Sequence, residues 1–184
     1  MKGIKQYLVP TLVLFLICFV AAALLGVTND VTAPVIKANA EAAEQAAMKN
    51  VLPDADKFGE AKSNDYGTYS PAYDGSGNVI GYAVTAEGKG GYDGTITLMV
   101  GIDAQGKVVD IHFLEMSETP SIGGKIPKNT SFLDQFKGLF GSAALTKNGG
   151  TVNAVSGATK TSTGVTDAVN NALLCVKEEV RANG

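Results

Sequence analysis

The stretch Gly94–Met116, GTITLMVGIDAQGKVVDIHFLEM, predicts two antiparallel β-strands. Residues 95–102 and 107–116 are rich in β-branched and aliphatic side chains, and the turn-forming sequence DAQG lies between them. The preceding stretch, YSPAYDGSGNVIGYAVTAEG, has the same organisation, with its turn at Asp74–Asn78. Together the two stretches predict a meander of antiparallel strands.

The segments after this meander predict helices. Apolar residues recur every three or four positions near the C-terminus, namely Val165, Ala168, Val169, Ala172, Leu173, Val176 and Val180. A shorter helix is predicted in TSFLDQFKGLFG, with Thr130 or Ser131 as its N-cap. The sequence LTKNGGTVNAVSG between them predicts a loop with one short strand. This order of elements predicts an α+β fold, in which helices pack on an antiparallel sheet.

The N-terminal region predicts a membrane-spanning helix. Tyr7–Val27 contains 21 residues without a charge, which as a helix would span roughly 30 Å, the thickness of a bilayer core. Signal peptides have shorter apolar regions of about 7–15 residues, although cleavage after AAALLG remains an alternative. Lys2 and Lys5 precede the run, and no cation follows it until Lys37. The positive-inside rule therefore predicts a single-pass protein of the cell membrane, with a cytoplasmic N-terminus and the remainder outside.

A second helix is predicted directly after the membrane run. Thr32 is a suitable N-cap, Pro34 would lie in the first turn, and the alanine-rich segment ends before Pro53. The predicted organisation is a cytoplasmic N-terminus and membrane helix over 1–29, a connecting helix over 30–52, and a folded domain over 53–184.

Composition excludes several classes of function. The part of the chain after the membrane run contains 13 of the 15 basic residues and all 18 acidic ones, so its net charge is negative. A nucleic-acid-binding surface, which needs positive charge, is therefore not expected. Cys18 lies in the membrane run and Cys175 near the C-terminus, and no CxxC pair is present for zinc or an iron–sulfur cluster. Because His112 is the only histidine, most histidine-based catalytic and metal sites are excluded, and neither a catalytic residue nor a metal site is expected.

The sequence Asn153–Val165, NAVSGATKTSTGV, concentrates hydroxyl groups just before the last helix. One interpretation is helix capping, because Ser and Thr side chains accept hydrogen bonds from the free amides of a helix start. Another is a phosphate site, since those amides and the helix dipole attract anions. Gly157 would let a bulky group approach the backbone, and a threonine could carry the phosphate covalently. The spacing matches neither a Walker loop nor a GxGxxG dinucleotide motif.

Three stretches of the chain resemble the FMN-binding domain family. NAVSGATKTS is similar to the flavinylation motif of that family, and GKGGYDGTITLMVGID to its Gly-Tyr-x-Gly strand start. LEMSETPSIGGKI is similar to the Glu-Thr-Pro-Gly-Leu-Gly loop at its flavin site. With the N-terminal membrane helix, the chain resembles the G subunits of Rnf electron-transport complexes, to which the C subunits of Na⁺-pumping quinone reductases are related.

This resemblance implies a set of binding residues. FMN would be joined to Thr159 through a phosphoester. The other implied residues fall into four groups. Ser156, Gly157 and Ala158 shape the loop, and Thr161 and Ser162 donate hydrogen bonds to the phosphate. Glu118 and Thr119 lie near the ring with Ile122 as an apolar contact, and Tyr92 and Gly94 border the pocket.

The resemblance also implies partners. A separate Mg²⁺-dependent flavin transferase would attach the FMN, and the chain would then relay single electrons between a membrane-embedded iron–sulfur centre and another flavin subunit. The complex would couple ferredoxin oxidation and NAD⁺ reduction to ion translocation. The alternatives are a flavin-binding sensor and a membrane-anchored binding module without redox function.

Three positions depart from the family pattern. Met116 stands where many members have a histidine, Ser121-Ile122-Gly123 replaces Gly-Leu-Gly, and Asn153 replaces an aspartate. The attachment motif is unaffected, but histidine-based proton transfer beside the ring is put in doubt.

Overall fold

The computed structural model describes residues 2–91, 94–119 and 123–183, with side chains described from residue 7 to residue 182. The chain divides into two compact units, Met1–Ala42 and Ala43–Gly184.

The first helix, α1, spans Lys2–Val51 without interruption and includes Pro10 and Pro34. It is long and apolar enough to cross a membrane, and the side chains of its apolar run are exposed. The predicted helix start at Thr32 is wrong, because the Thr32 hydroxyl donates to the Thr28 carbonyl at 2.9 Å inside the continuing helix. The helix-favouring residues around Pro34 outweigh the one backbone hydrogen bond that proline removes. The boundaries of the three predicted segments stay predictions.

Six antiparallel strands form one sheet, in which β1, β3, β4, β5 and β6 lie in that order and β2 also pairs with β3. The strands are β1 (Lys57–Phe58), β2 (Lys62–Asn64), β3 (Gly67–Tyr73), β4 (Val79–Gly88), β5 (Ile96–Asp103) and β6 (Val108–Met116). The predicted meander is confirmed as β3 to β6. Strands β1 and β2 were not predicted, because they are short and lie in a polar segment with no apolar alternation.

In the described residues, three α-helices follow the sheet: α2 (Thr130–Leu133), α3 (Thr159–Cys175) and α4 (Lys177–Asn183). The amphipathic α3 packs across β4 and β5, and its buried Val165 and Val169 join the core with Leu98. Helix α4 bonds to the sheet where the Tyr69 hydroxyl donates to Glu179 Oε1 at 2.6 Å. The predicted α+β fold is confirmed.

The cap predicted for α2 is wrong by one or two residues. Asn129 is the N-cap, and its side-chain oxygen accepts from the Phe132 amide at 3.1 Å. Thr130 and Ser131 already lie inside the helix, so their hydroxyls are not at the cap position.

The opposite face of the sheet packs against the C-terminal end of α1. Ala47, Val51 and Leu52 form a second buried cluster with Ala83 of β4 and Met99 of β5. The sheet is therefore covered on both faces within the unit Ala43–Gly184.

Two irregular segments position the start of α3. After β6 the chain enters a 3₁₀ helix, Gly123–Lys128, which the fully buried Ile126 fixes to the core. After α2, a parallel bridge joins the buried Leu145 and Val152. The loop that follows this bridge leads directly into Thr159 at the start of α3.

Candidate functional site

A cavity of about 450 Å³ lies at the N-terminal end of α3. Its walls are formed by Glu118, Thr119, Gly157, Ala158, Thr159, Lys160 and Thr161. Two segments about forty residues apart in sequence therefore meet at one surface. Each segment belongs to a separate sequence motif that predicts cofactor binding, and the fold brings the two motifs together.

Thr159 is the first residue of α3, and its side chain is exposed at the cavity. The N-cap position is held by Ala158, which makes no side-chain capping bond. A methyl group cannot accept from the first amides of a helix, and those amides have no partner within the helix itself. A capping interpretation requires an acceptor at this position, so the start of α3 is better suited to an external anion.

The loop before Thr159 turns at Gly157, whose φ of +79° lies in the left-handed region. A methyl group built on this glycine would meet nothing within 4 Å, so the surface here is open. The amide of Ala158 closes the turn by donating to the Val155 carbonyl at 2.9 Å. The turn thus exposes the backbone beside Thr159.

Ser162 braces this loop from inside. Its side chain is fully buried, and its hydroxyl accepts from the Val155 amide at 3.0 Å and donates to the Ala158 carbonyl at 2.9 Å. The single proton of the hydroxyl is therefore used within the loop, and Ser162 does not line the cavity. In this structure the Ser162 hydroxyl is occupied within the loop, and the phosphate contact expected of it stays a prediction.

Thr161 lines the cavity, but its hydroxyl is directed to a carboxylate. It is almost completely buried and donates to Glu118 Oε2 at 3.2 Å. In this structure the proton is given to the half-buried Glu118, and the expected donation to a phosphate oxygen stays a prediction. The same contact joins the loop after β6 to the first turn of α3.

Of the other predicted residues, the structure describes Ser156 and Gly94. Ser156 is exposed in the loop and Gly94 precedes β5, and neither lines the cavity. Tyr92 and Ile122 lie outside the described residues. Met116, the residue at the histidine position of the family, is half-buried and packs against the main core.

Lys160 is a residue of the cavity that sequence reasoning missed. It occupies the variable position of the predicted motif, directly after Thr159, so only this adjacency could have indicated a role. Its side chain is exposed, and it supplies a cation to a surface where Glu118 supplies an anion. The cavity therefore carries both signs of charge.

Two family models match the chain. The model of the FMN-binding domain matches residues 91–174, which include both walls of the cavity. The model of the RnfG N-terminal region matches residues 1–51, the span of α1.

Similar proteins belong to ion-translocating oxidoreductase complexes. The G subunit of the ion-translocating oxidoreductase complex of Methanosarcina acetivorans is 34% identical over 182 residues, which are 94% of this chain and 96% of that protein. The G subunit of the proton-translocating ferredoxin:NAD(+) oxidoreductase complex of Clostridium ljungdahlii is 34% identical over 85% of this chain and 84% of that protein.

Among solved structures, NqrC of Shewanella oneidensis is similar, with 20% identity and a TM-score of 0.49 over 72% of this chain and 74% of that one. The two relatives are about a third identical to this chain over most of their length. The two family models, an FMN-binding domain and an RnfG N-terminal region, assign the chain to the same family. The chain belongs to the family of G subunits of ion-translocating oxidoreductase complexes and contains an FMN-binding domain.

Proposed function

We propose that this chain is the membrane-anchored electron-carrier subunit of an Rnf-type ferredoxin:NAD⁺ oxidoreductase complex coupled to ion translocation, with FMN bound covalently at Thr159. The observation that carries the proposal is the cavity in which Glu118 and Thr119 meet the exposed start of α3. Bound FMN supplies the redox chemistry, while the chain holds the cofactor and adjusts its electrostatic environment.

The hydroxyl groups at the site favour Thr159 as the point of attachment. Ser162 is buried and its proton is used by the loop, while Thr161 is buried and bonded to Glu118. Thr159 is exposed, lies at the helix start and lines the cavity. A phosphoester to its oxygen would lie next to the first amides of α3, where an anion is stabilised.

The residues beside Thr159 fit a bulky anionic group. Gly157 leaves open space at the turn, and Ala158 is buried, so neither residue obstructs the approach. The ammonium group of Lys160 would counter the remaining negative charge of the phosphoester. Glu118 and Thr119 form the other wall, where we expect the ring to lie.

The N-terminal helix supports membrane anchoring, and its flanking charges support one orientation. Lys2 and Lys5 precede the apolar run, so we propose that the N-terminus is cytoplasmic and the FMN domain lies outside. A covalent bond would then prevent loss of the cofactor by diffusion. Maturation would need a flavin transferase, and electron transfer would need the flavin and iron–sulfur subunits of the complex.

Peptide mass spectrometry of the chain from its native membrane tests the attachment. We expect an FMN-sized increment on the peptide that contains Thr159, and ultraviolet fluorescence in the denatured band. Thr159→Ala should abolish both signals. The matched control is Thr163→Ala, one turn further along α3, where the hydroxyl donates to the Thr159 carbonyl at 2.9 Å and does not line the cavity.

Two outcomes would contradict the attachment. One is an unmodified Thr159 in cells that flavinylate other proteins. The other is a Thr159→Ala chain that still carries FMN, which would make the exposed Ser156 the alternative acceptor.

Protease accessibility tests the orientation. Protease added to cells with a permeable envelope should degrade the FMN domain, whereas in inverted membrane vesicles the domain should be protected. The reverse pattern would contradict the orientation deduced from the lysines.

A further inference from the structure

The carboxylate of Glu118 is enclosed by three segments of the chain. Thr161 of α3 donates to Oε2 at 3.2 Å. A methyl group built on Gly123 would lie 2.6 Å from Oε2, and one built on Gly91 would lie 2.7 Å from Oε1. Glycine at both positions therefore leaves the space that the carboxylate occupies.

We propose that Glu118 is a positioning residue whose bond to Thr161 fixes residues 117–119, directly after β6, to the first turn of α3, and so sets the shape and charge of the cavity. The part of this inference that concerns FMN rests on the proposed function. The Thr161 hydroxyl then donates to Glu118 instead of to the phosphate. Glycine is required at position 123 because a larger side chain would separate these two partners.

The environment of Gly123 gives a separate argument for this assignment. Its added methyl group would lie 2.6 Å from both Glu118 Oε2 and Thr161 Oγ1, and 3.0 Å from Glu118 Cβ. All three contacts are with the two bonded side chains. Gly123 does not have a positive φ, so alanine fits its backbone and the expected effect is the separation of the two partners.

Two contacts of the neighbouring described residues are local. The Gly124 amide donates to the Thr119 carbonyl at 3.0 Å, which closes the loop on itself, and the buried Ile126 fixes the following 3₁₀ helix. Neither of these contacts ties Glu118 to α3. Hydrogen bonds to charged groups are among the stronger ones in proteins, so loss of the bond from Thr161 should make local opening about tenfold or more frequent.

The fixed carboxylate also places a negative charge at the cavity wall. A nearby negative charge disfavours the gain of electrons by a bound flavin, and so lowers its midpoint potential. Glu118→Gln keeps an acceptor for Thr161 but removes the charge, so it should raise the potential of the bound FMN.

Hydrogen exchange in the full chain, in detergent and made without a flavin transferase, tests the positioning role without any cofactor. The amides of residues 118, 119, 123 and 124 should exchange about tenfold or more faster in Thr161→Val and in Gly123→Ala. Thr161→Ser, which keeps the hydroxyl, should exchange like wild type. The control is Thr166→Val, which removes a buried hydroxyl that donates to the Ser162 carbonyl on the same helix.

Wild-type exchange in both Thr161→Val and Gly123→Ala would overturn the proposal, as would an equal acceleration in Thr166→Val. Redox titration of the flavinylated chain then tests whether the charge of Glu118 lowers the midpoint potential of bound FMN. An unchanged midpoint potential in Glu118→Gln would overturn this electrostatic role. Absence of FMN from every chain, wild type included, would refute the proposed function while the exchange result still decides the role of Glu118.

Discussion

Removal of the Ser162 hydroxyl should destabilise the domain and reduce its flavinylation. The fully buried hydroxyl accepts from the Val155 amide and donates to the Ala158 carbonyl. The Ser162 amide also donates to that carbonyl at 2.9 Å, so Ser162→Ala leaves the carbonyl with one partner. The Val155 amide loses its acceptor, and an unsatisfied donor costs about 1–3 kcal/mol.

For a domain of this size, that loss is a fall in Tm of about 3–10 °C. Hydrogen exchange of the slowest amides of the full chain in detergent measures the free energy of unfolding, because those amides exchange only through global unfolding. Thr166→Val is the matched control. Its hydroxyl donates to a helix carbonyl, so its removal leaves no amide unsatisfied, and the cost should stay within about 1 kcal/mol.

The loop that Ser162 braces also leads into Thr159, so the fraction of the chain that carries FMN should fall in Ser162→Ala. The fall should exceed the effect of Thr166→Val when both are made with the same transferase. The reasoning is refuted if Ser162→Ala is no less stable than Thr166→Val. Equal stability would mean that water or a shift of the loop supplies the Val155 amide with another acceptor.

Burial and a hydrogen bond to the α4 carboxylate raise the pKa of Tyr69 from 10.0 to about 12. The folded state therefore holds this proton more tightly than the unfolded state does. The free energy of unfolding that this bond contributes should be present below pH 10 and lost between about pH 10 and 12. In urea titrations across that window, Tyr69→Phe should lose less of its free energy of unfolding than wild type. Lys160→Gln should lower the midpoint potential of bound FMN in a redox titration, whereas the exposed Lys147→Gln in another loop should not. Asn129→Ala should cost about 0.5–2 kcal/mol in thermal unfolding, and an equal cost for Thr130→Ala would favour the cap predicted from sequence.

The strands that could be predicted are those that neighbouring residues in the sequence indicate by themselves. Strands β3 to β6 carry runs of β-branched and aliphatic residues separated by turn residues, and both the pairing and the turns follow. Strands β1 and β2 have two and three residues, and they are strands only because β3 offers them a partner. Such short pairings are set by the tertiary fold and leave no periodic pattern in the sequence.

The continuity of α1 could not be predicted for a related reason. Thr32 and Pro34 are good signals for a helix start, and each is compatible with a helix interior when the neighbouring turns are already formed. Helix formation is cooperative, so strong segments on both sides can extend through a weak position. Thr32 and Pro34 indicate the conformational preference of single positions, whereas the continuity of α1 depends on the summed helix preference of many turns.

Six of the seven residues that line the cavity could be predicted from motifs, but their contacts with one another could not. Glu118 and Thr159 belong to separate motifs that the fold brings to one surface. The bond from Thr161 to Glu118 joins positions 43 residues apart, so no local pattern could reveal it. Lys160 was missed because the variable position of a motif carries no signal of its own.

The two interpretations of the hydroxyl cluster are compatible once each residue is placed on α3. Successive helical residues rotate by about 100°, so a run of hydroxyls cannot all face one ligand. Thr161 and Ser162 turn inward and hold the loops on either side, whereas Thr159 stays exposed at the cavity. Ala158 at the N-cap position makes no side-chain capping bond, and the buried hydroxyls instead brace the segments that meet at this helix start. The hydroxyl-rich composition thus supports the helix start and leaves Thr159 exposed at the cavity, as the proposed attachment requires.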